Sequence, residues 1–540
     1  MKRKYNIRCL VLVMAAVMLI TGCASPLLQQ PSEPDRGVLV LTDPQEDAPD
    51  LPSRPETPSA DDPDALSGIG NIVTEYIVPG SGRGSADNTA ANEGAGSNKN
   101  NAPSEDNALS VNTASNGNTP ASGNTSPGGS TPPSESTSAS GNAPPSDNTA
   151  NAGNAPVRPA SGFRNNTPRM QRVTGEVRGV WISFLEFDHL LRGRTREQFT
   201  ANIRRVLDAC ADYGINTVIV QVRPFADALY PSAYFPWSHF ATGTEGVDPG
   251  FDPLAIMIDE AHARGMRFEA WINPYRIRTA GSRVPMCPSN QAAIWLSEGN
   301  RAVINYNGII SYNPANAQAR QLIVNGVVEI VRNYSVDAIH IDDYFYPTTS
   351  AGFDAACFNA YRNAGGTRSL ADWRRHNVQT LMREMYSAIK AEDPNVLFGI
   401  SPQSRIDYNF NNLYLDVARI ASRPGYADYI MPQIYFGFEH ATQPFAQVLQ
   451  EWNAMVNPNY VRLYIGLAPY KSGLVDTWAG AGRYEWVNNT DLLARMVQAS
   501  RAASNYRGFV LFRFDSLFDP AQNVRSHVER EHANLRAILN

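Results

Sequence analysis

The sequence has no dense run of lysine and arginine after its first few residues, and its formal net charge is −6. Phosphate backbones are bound by clustered positive charge, so we expect no nucleic-acid partner. The sequence also lacks the Cys/His spacing of a zinc site and a glycine-rich phosphate turn after the first predicted strand. We therefore expect neither a metal nor an organic cofactor.

Cysteine is scarce, with five residues in 540. Cys9 lies in the apolar N-terminal run and Cys23 follows it, which leaves Cys210, Cys287 and Cys357. Three thiols cannot all pair within one chain. Cys210 lies on the apolar side of a helical pattern and is expected to be a buried thiol. A Cys287–Cys357 disulfide remains open.

The N-terminus begins with four positive residues, Lys2, Arg3, Lys4 and Arg8. The apolar run at 9–20 is short for a bilayer span but normal for the core of a signal peptide. Ile20-Thr21-Gly22-Cys23 then resembles the bacterial lipobox, in which the cysteine is lipidated and becomes the new N-terminus. The sequence predicts a signal peptide at 1–22 and a lipid anchor at Cys23 on the extracytoplasmic face of the cell membrane. The alternative is a plain signal peptide with an incidental cysteine.

Residues 23–175 are dominated by Asn, Ser, Gly, Pro, Ala and Thr. Such a segment buries too little apolar surface to offset the entropy of ordering, so it is predicted to be a disordered tether. Its role would be that of a flexible spacer between the membrane anchor and a folded domain at 176–540.

From residue 176 onward, β-rich runs alternate with longer amphipathic segments. Eight strands are predicted, at 177–183, 217–222, 267–272, 338–342, 397–401, 429–434, 462–467 and 508–514. A helix between successive strands indicates parallel pairing with right-handed crossovers. The expected fold is α/β, an eight-stranded (β/α)8 TIM barrel. An open doubly wound sheet is the alternative, but the glycine-rich turn typical of it is missing.

Aromatic, carboxylate, amide and arginine side chains follow the predicted strands at the rim where such barrels place their active sites. Sugars need this mixture, because their CH faces pack on aromatic rings while their hydroxyls need fixed polar partners. The candidate substrate-binding residues are Trp181, Arg223, Asp227, Glu269, Trp271, Asn273, Arg276, His340, Tyr344, Gln433 and Tyr435.

The strongest single feature is the pair Asp342 and Asp343 at the end of the fourth strand. A carboxylate at the end of an apolar strand is costly unless it has a partner or a function. Strand alternation points Asp342 into the barrel mouth, and two adjacent carboxyls can separate their pKa values and leave one protonated. We expect both to be catalytic. The alternative is that one caps a loop or pairs with Arg223.

Glycoside hydrolysis uses a carboxylic acid and a second carboxylate. The sequence does not identify the second carboxylate beyond this pair, and five further candidates remain open: Glu186, Asp227, Glu269, Glu439 and Asp515.

Five motifs resemble the glycosyl-hydrolase-like 10 family, at 178–183, 221–230, 270–276, 340–347 and 431–435. The resemblance extends over about 176–518. It implies a (β/α)8 barrel with glycoside hydrolase activity, and some relatives are linked to cleavage of peptide-stripped peptidoglycan strands. It also implies an acidic centre at Asp342 and Asp343, surrounded by Arg223, Asp227, Asn273, Arg276, Gln433 and Tyr435. Two departures point to an altered substrate preference: Glu269 stands where many relatives have His, and 401–405 differs from the usual Ser-Pro-Phe-Gly pattern.

We therefore expect a membrane-anchored, extracytoplasmic glycoside hydrolase that acts on cell-envelope or extracellular glycan, with peptidoglycan strands as one candidate. The first alternative is a glycan-binding lipoprotein without turnover. The second is a metal-dependent hydrolase that uses His340, Asp342 and Asp343.

Overall fold

The computed structural model describes residues 175–539. The predicted signal peptide, Cys23 and nearly all of the predicted tether lie outside these residues. In the described part the strands are β1 (Val177–Ile182), β2 (Thr217–Arg223), β3 (Arg267–Ile272), β4 (Arg276–Arg278), β5 (Val303–Tyr306), β6 (Ile309–Tyr312), β7 (Ala338–Ile341), β8 (Leu397–Ile400), β9 (Tyr429–Ile430), β10 (Arg462–Leu467) and β11 (Tyr506–Leu511).

Eight of these strands close a parallel barrel in the order β1-β11-β10-β9-β8-β7-β3-β2. This confirms the predicted (β/α)8 barrel and excludes the open sheet. The predicted strand bounds are nearly right, although β9 is only two residues long and β11 begins before the predicted residue 508. Because all eight strands are parallel, their carboxyl ends meet at one rim.

The helices follow the strands on the outside of the barrel. They are α1 (Phe184–Leu190), α2 (Arg196–Tyr213), α3 (His239–Thr242), α4 (Pro253–Ala263), α5 (Gln291–Ser297), α6 (Ala317–Asn333), α7 (Ala355–Asn363), α8 (Leu370–Glu392), α9 (Ile406–Asn411), α10 (Val417–Ser422), α11 (Phe445–Met455), α12 (Glu485–Asn488), α13 (Leu492–Arg501), α14 (Phe514–Phe518) and α15 (Arg525–Ala537). Short 3-10 turns lie at Pro469–Lys471 and Gly480–Gly482.

Local sequence explains why these helices begin and end where they do. At the start of α2, the Thr195 hydroxyl accepts a hydrogen bond from the Gln198 backbone N–H, and the Thr195 N–H donates one to the Gln198 side-chain oxygen. Gly214 ends the helix with φ of 92°, a left-handed conformation that glycine adopts without strain.

A small antiparallel sheet in the order β4-β6-β5 lies between β3 and α6, and the sequence did not indicate it. An ion pair between the buried side chains of Arg278 and Glu245 fixes β4. Asn290 adds a hydrogen bond of 2.8 Å to the same carboxylate. This insertion holds Arg276, the first residue of β4, at the rim of the barrel.

The barrel interior is filled by side chains, so the barrel is a packed core. Trp181, Trp271, Tyr429 and Tyr464 are the largest members of this interior cluster. A second and larger apolar cluster joins the outer strand faces to the helices.

The three cysteines of the described chain are unpaired. Cys210 is buried, as expected, and the Cys287–Cys357 disulfide is not formed. Within 175–539, no helix is both long and apolar enough to cross a membrane.

Candidate active site

The aspartate pair, Asp342 and Asp343, follows directly after β7 at the carboxyl rim of the barrel. Asp342 is 5% exposed, and its Oδ1 accepts a hydrogen bond of 2.5 Å from Asn273 Nδ2. The Tyr344 backbone N–H lies 3.4 Å from the same oxygen. Asp343 is partly exposed and accepts a hydrogen bond from Gln403 Nε2. The pair is therefore held by neutral amide donors from the ends of neighbouring strands.

A chain of hydrogen bonds fixes the orientation of the Asn273 amide. The Phe184 backbone N–H donates to Gln221 Oε1 at 3.1 Å, and Gln221 Nε2 donates to Asn273 Oδ1 at 2.5 Å. Arg276 Nη2 donates to the same Asn273 oxygen at 2.8 Å. With Oδ1 accepting twice, the Asn273 Nδ2 must face Asp342. Residues in or directly after β1, β2 and β3, together with Arg276 of β4, therefore position one carboxylate.

Arg276 brings a positive charge to the aspartate pair within an aromatic frame. Its guanidinium carbon lies 4.0 Å from the centre of the Tyr344 ring and 4.6 Å from that of Phe225. Its Nε donates to the Pro224 carbonyl at 3.0 Å. These contacts fix the plane of the guanidinium, which cation–π attraction also favours.

Burial raises the pKa of Asp342, and the charge of neighbouring Asp343 raises it further, to about 7. Burial also raises the pKa of Asp343, while hydrogen bonds from Gln403 and Gln433 and the charge of Arg276 act in the opposite direction. Two adjacent carboxyls repel each other when both are ionised. The raised pKa values therefore disfavour the state in which both carboxyls are ionised.

An aromatic wall lies on the opposite side, formed by residues after β9, β10 and β11. The Tyr435 ring centre lies 5.8 Å from that of Tyr470 and 5.9 Å from that of Phe512. Phe512 in turn lies 5.8 Å from the Trp181 ring. Burial raises the pKa of Tyr435 well above its usual range, so its hydroxyl remains protonated. Gln433 lies at the same rim and donates to the Ser401 carbonyl at 3.1 Å.

Three predicted substrate-binding residues lie in the barrel interior below the mouth. Trp181 Nε1 donates to His340 Nε2 at 3.2 Å, and His340 Nδ1 lies 2.8 Å from the Tyr429 hydroxyl. That hydroxyl donates to Glu269 Oε2 at 2.5 Å, while Arg267 pairs with the other Glu269 oxygen at 2.8 Å. Burial lowers the pKa of His340 to about 3, so the ring is neutral. This placement favours a structural role for Trp181, His340 and Glu269.

Trp271 belongs to the same interior, with its ring centre 6.3 Å from that of His340. Arg223 and Asp227, also predicted to bind substrate, are buried beneath the rim, at 1% and 0% exposure. The Arg223 guanidinium carbon lies 4.3 Å from the centre of the Phe235 ring. An Asp227 oxygen lies 3.7 Å from His239 Nδ1. Trp271, Arg223 and Asp227 are therefore buried beneath the mouth, where they support the residues that form it.

The structure does not bring any of the five further carboxylates beside the aspartate pair. Glu186 is fully buried and pairs with Arg513 at 2.5 Å, and Asp515 lies 3.3 Å from the same guanidinium. Glu439 is exposed on the loop after β9. Glu269 and Asp227 are buried as described above.

Sequence reasoning missed Gln403, which contacts Asp343, and Phe512 in the aromatic wall. The segment 401–405 departs from the usual family pattern, and the position of Gln403 shortly after a barrel strand is the sequence signal for its role. Within 175–539, no group of three or more His, Cys, Asp or Glu side chains is arranged to hold a metal ion.

Comparison with known proteins shows that this sequence is similar to glycosyl hydrolases. The family described as glycosyl hydrolase-like 10 matches residues 176–478. The glycosyl hydrolase YngK of Bacillus subtilis is 37% identical over 319 residues, which are 55% of this chain and 61% of YngK. The chain thus matches less than two thirds of the length of YngK. The glycosyl hydrolase DigH of Escherichia coli K12 is 34% identical over 390 residues, which are 65% of this chain and 85% of DigH.

Solved structures give distant likenesses only. The glycoside hydrolase domain of PgaB (BpsB) from Bordetella bronchiseptica has 11% identity and a TM-score of 0.43, covering 66% of this chain and 99% of that domain. The catalytic domain of a β-amylase from Paenibacillus polymyxa has 11% identity and a TM-score of 0.44, covering 68% of this chain and 100% of that one. The barrel assignment rests on the closed strand order and not on these scores.

Proposed function

The chain belongs to the glycosyl hydrolase-like 10 family, and from that premise we propose that it hydrolyses glycosidic bonds in a cell-envelope or extracellular glycan. Peptide-stripped peptidoglycan strands are one candidate substrate, which the family resemblance implies. The observation that carries the proposal is the aspartate pair, two adjacent carboxyls that Asn273 and Gln403 hold at the mouth of the barrel.

The protonated member of the aspartate pair would donate its proton to the leaving glycosidic oxygen. The ionised member would stabilise the positive charge that develops on the sugar ring as the glycosidic bond breaks. A water molecule would then add to the anomeric carbon and give up a proton to the pair, which restores the shared proton. Asn273 and Gln403 hold the two carboxyls in place, and Arg276 keeps a positive charge beside them. Because loss of the shared proton removes the acid, kcat/KM should fall as pH rises above about 7.

The surroundings of the aspartate pair fit a sugar ring. Tyr435, Tyr470 and Phe512 form one aromatic side of the mouth, and Tyr344 lies on the other over Arg276. Apolar CH faces of a sugar pack against such rings, while its hydroxyls need side-chain partners such as Gln433.

The experiment is a digest of purified glycans by the full chain, with products read by mass spectrometry. The panel contains peptide-stripped peptidoglycan, intact peptidoglycan and unrelated polysaccharides. Asp342→Asn and Asp343→Asn should each lower turnover by at least about 10²-fold, because each removes an acid or a carboxylate. Asp212→Asn is the control, since Asp212 is exposed near the end of α2, far from the rim.

Products that persist at full rate in both Asp variants would contradict the assigned residues. A second candidate function is glycan binding without turnover. Its support is that none of the five further carboxylates, all within the described residues, lies beside the aspartate pair. Saturable binding with no products on any glycan, retained in both variants, would favour it.

We also propose that the protein is anchored to the outer face of the cell membrane through Cys23. The support is the lipobox-like Ile20-Thr21-Gly22-Cys23 after an apolar run of signal-peptide length. Cells fed labelled palmitate should label the parent chain and not Cys23→Ser. An unlabelled parent chain would favour a plain signal peptide.

A further inference from the structure

The loop after β10, here called the β10 loop and comprising residues 468–491, extends the carboxyl rim beyond the aspartate pair. It begins beside the active site, because Tyr470 packs against Tyr435 with ring centres 5.8 Å apart. It then runs outward to a lobe at 474–488. The lobe is therefore continuous with the aromatic wall of the mouth.

The lobe is fixed in place by its own hydrogen bonds. Lys471 Nζ lies 2.7 Å from an Asp476 carboxylate oxygen, and the Asp476 N–H donates to the Arg483 carbonyl at 2.9 Å. The buried Glu485 accepts backbone hydrogen bonds from Phe438 at 3.0 Å and from Glu439 at 2.9 Å. These bonds pin the lobe to the loop after β9.

Two aromatic side chains on this fixed lobe face solvent. Trp478 is 67% exposed and Tyr484 is 49% exposed. Trp478 follows Asp476 by two residues and Tyr484 directly follows Arg483, so the Asp476–Arg483 hydrogen bond brings their backbones together. The Arg483 guanidinium lies 5.0 Å from the Tyr484 ring centre. Val475 and Val487 are also exposed, at 42% and 38%, so four of the seven large apolar side chains exposed within 175–539 lie on this lobe. Such a cluster of exposed apolar side chains marks a binding surface.

We propose that Trp478 and Tyr484 form a remote sugar-binding platform, on which a long glycan chain rests as it leaves the barrel mouth. The proposal rests on the proposed glycoside hydrolase function. The platform would bind chains that are longer than the mouth itself can hold. The protein should therefore prefer long strands over short fragments.

The position of the two rings fits a glycan chain that extends from the mouth, because the β10 loop that carries them also contains Tyr470 of the aromatic wall. Polar and charged residues, namely Thr477, Arg483, Asn488 and Asn489, lie between and beside them. Aromatic rings beside polar groups match the alternating CH faces and hydroxyls of a sugar chain.

The experiment measures binding and turnover on long peptide-stripped glycan strands and on short fragments of the same strands. Binding is measured by affinity electrophoresis of the full chain in an Asp343→Asn background, which prevents consumption of the strands. Turnover is measured in the parent background. The variants are Trp478→Ala and Tyr484→Ala.

Tyr460→Ala is the matched control. Tyr460 is 50% exposed and precedes β10, so it lies at the opposite, amino-terminal rim of the barrel.

We expect Trp478→Ala to bind long strands roughly 3- to 10-fold more weakly, as expected for loss of one stacked ring. KM on long strands should rise by a similar factor with kcat unchanged, and short fragments should be unaffected. Tyr484→Ala should show the same pattern, and Tyr460→Ala should match the parent.

If Trp478→Ala binds long strands as tightly as the parent, the platform proposal is overturned. Normal turnover in the same variant would leave the hydrolase proposal intact. A parent that binds strands through Trp478 without cleaving them would support the platform and overturn the hydrolase. Loss of a dimer in Trp478→Ala, with strand binding unchanged, would assign the two rings to self-association and also overturn the platform.

Discussion

At the scale of the residue, Asp342 combines burial with a charged neighbour. Its pKa of about 7 in the folded protein lies well above the value of about 4 of an unfolded aspartate. The folded state therefore binds more protons than the unfolded state between these two values. By linkage, the free energy of unfolding falls as pH rises from about 4 to about 7 and levels off above that.

Asp342→Asn should remove this part of the pH dependence, because the amide never ionises but can still accept the Asn273 hydrogen bond. The loss of stability between pH 5 and pH 8 should be smaller in the variant than in the parent by about 2 kcal/mol. Urea unfolding at pH 5 and pH 8 measures this difference in the free energy of unfolding, with Asp212→Asn as the control. Parallel pH profiles in Asp342→Asn and the parent would contradict the raised pKa.

At the scale of the element, the loop from β7 to α7 carries the aspartate pair and is held by Arg374 of α8. Arg374 is fully buried and pairs with Asp354 at 2.5 Å. It also donates to the Ser350 carbonyl at 2.7 Å and to the Thr349 carbonyl at 3.0 Å. One guanidinium thus satisfies three groups of the catalytic loop from a neighbouring helix.

Arg374→Lys should lower both stability and kcat, because a single ammonium cannot reproduce the forked geometry. We expect a loss of about 2 kcal/mol of unfolding free energy from the unsatisfied buried groups. Arg383→Lys, which changes an exposed arginine of the same helix, should match the parent. Thermal unfolding and turnover of both variants make the comparison, and equal effects of the two changes would refute a positioning role for Arg374.

Strand β8 depends on a glycine to accommodate the barrel interior. A Cβ on Gly399 would lie 1.7 Å from the Tyr429 ring, which crosses the barrel to reach Glu269. Gly399→Ala should therefore destabilise the protein by about 3 kcal/mol through overpacking. Gly352→Ala, where the nearest atom to the new Cβ is 3.5 Å away, should be close to neutral. Denaturant midpoints of the two variants test this, and similar midpoints would argue against the close Tyr429 packing.

At the scale of the whole molecule, the barrel closes only through its last strand. β11 pairs with both β1 and β10, and it lies beyond residue 478, where the family match ends. The C-terminal helix α15 is tied to the same domain, since Glu531 accepts hydrogen bonds from the Leu492 and Leu493 N–H groups. Arg178 of β1 donates to the Leu539 carbonyl at 2.6 Å.

A chain that ends at residue 505 should not fold, because β1 and β10 would keep unpaired edges and the interior would be open to water. Soluble yield and a cooperative thermal transition are the measurements, with the full chain as reference. A soluble truncated chain with a cooperative transition would show that closure by β11 is dispensable.

The sequence by itself determined the barrel, the family and the position of the aspartate pair. The alternation of strand and helix is local in origin, and the eight predicted strands all appear in the barrel. Adjacent carboxylates at the end of an apolar strand could likewise be recognised without a structure. The short antiparallel sheet could not be predicted from the sequence, because its strands of three or four residues carry little periodicity.

Only the tertiary structure decided which inward-facing residues reach the mouth. Strand alternation places Glu269, Trp271 and Asn273 on one face, but it does not give their depth along the barrel axis. That depth follows from strand tilt and stagger, which depend on the pairing of all eight strands. As a result Glu269 lies in the buried interior with Tyr429, whereas Asn273 reaches Asp342 at the rim.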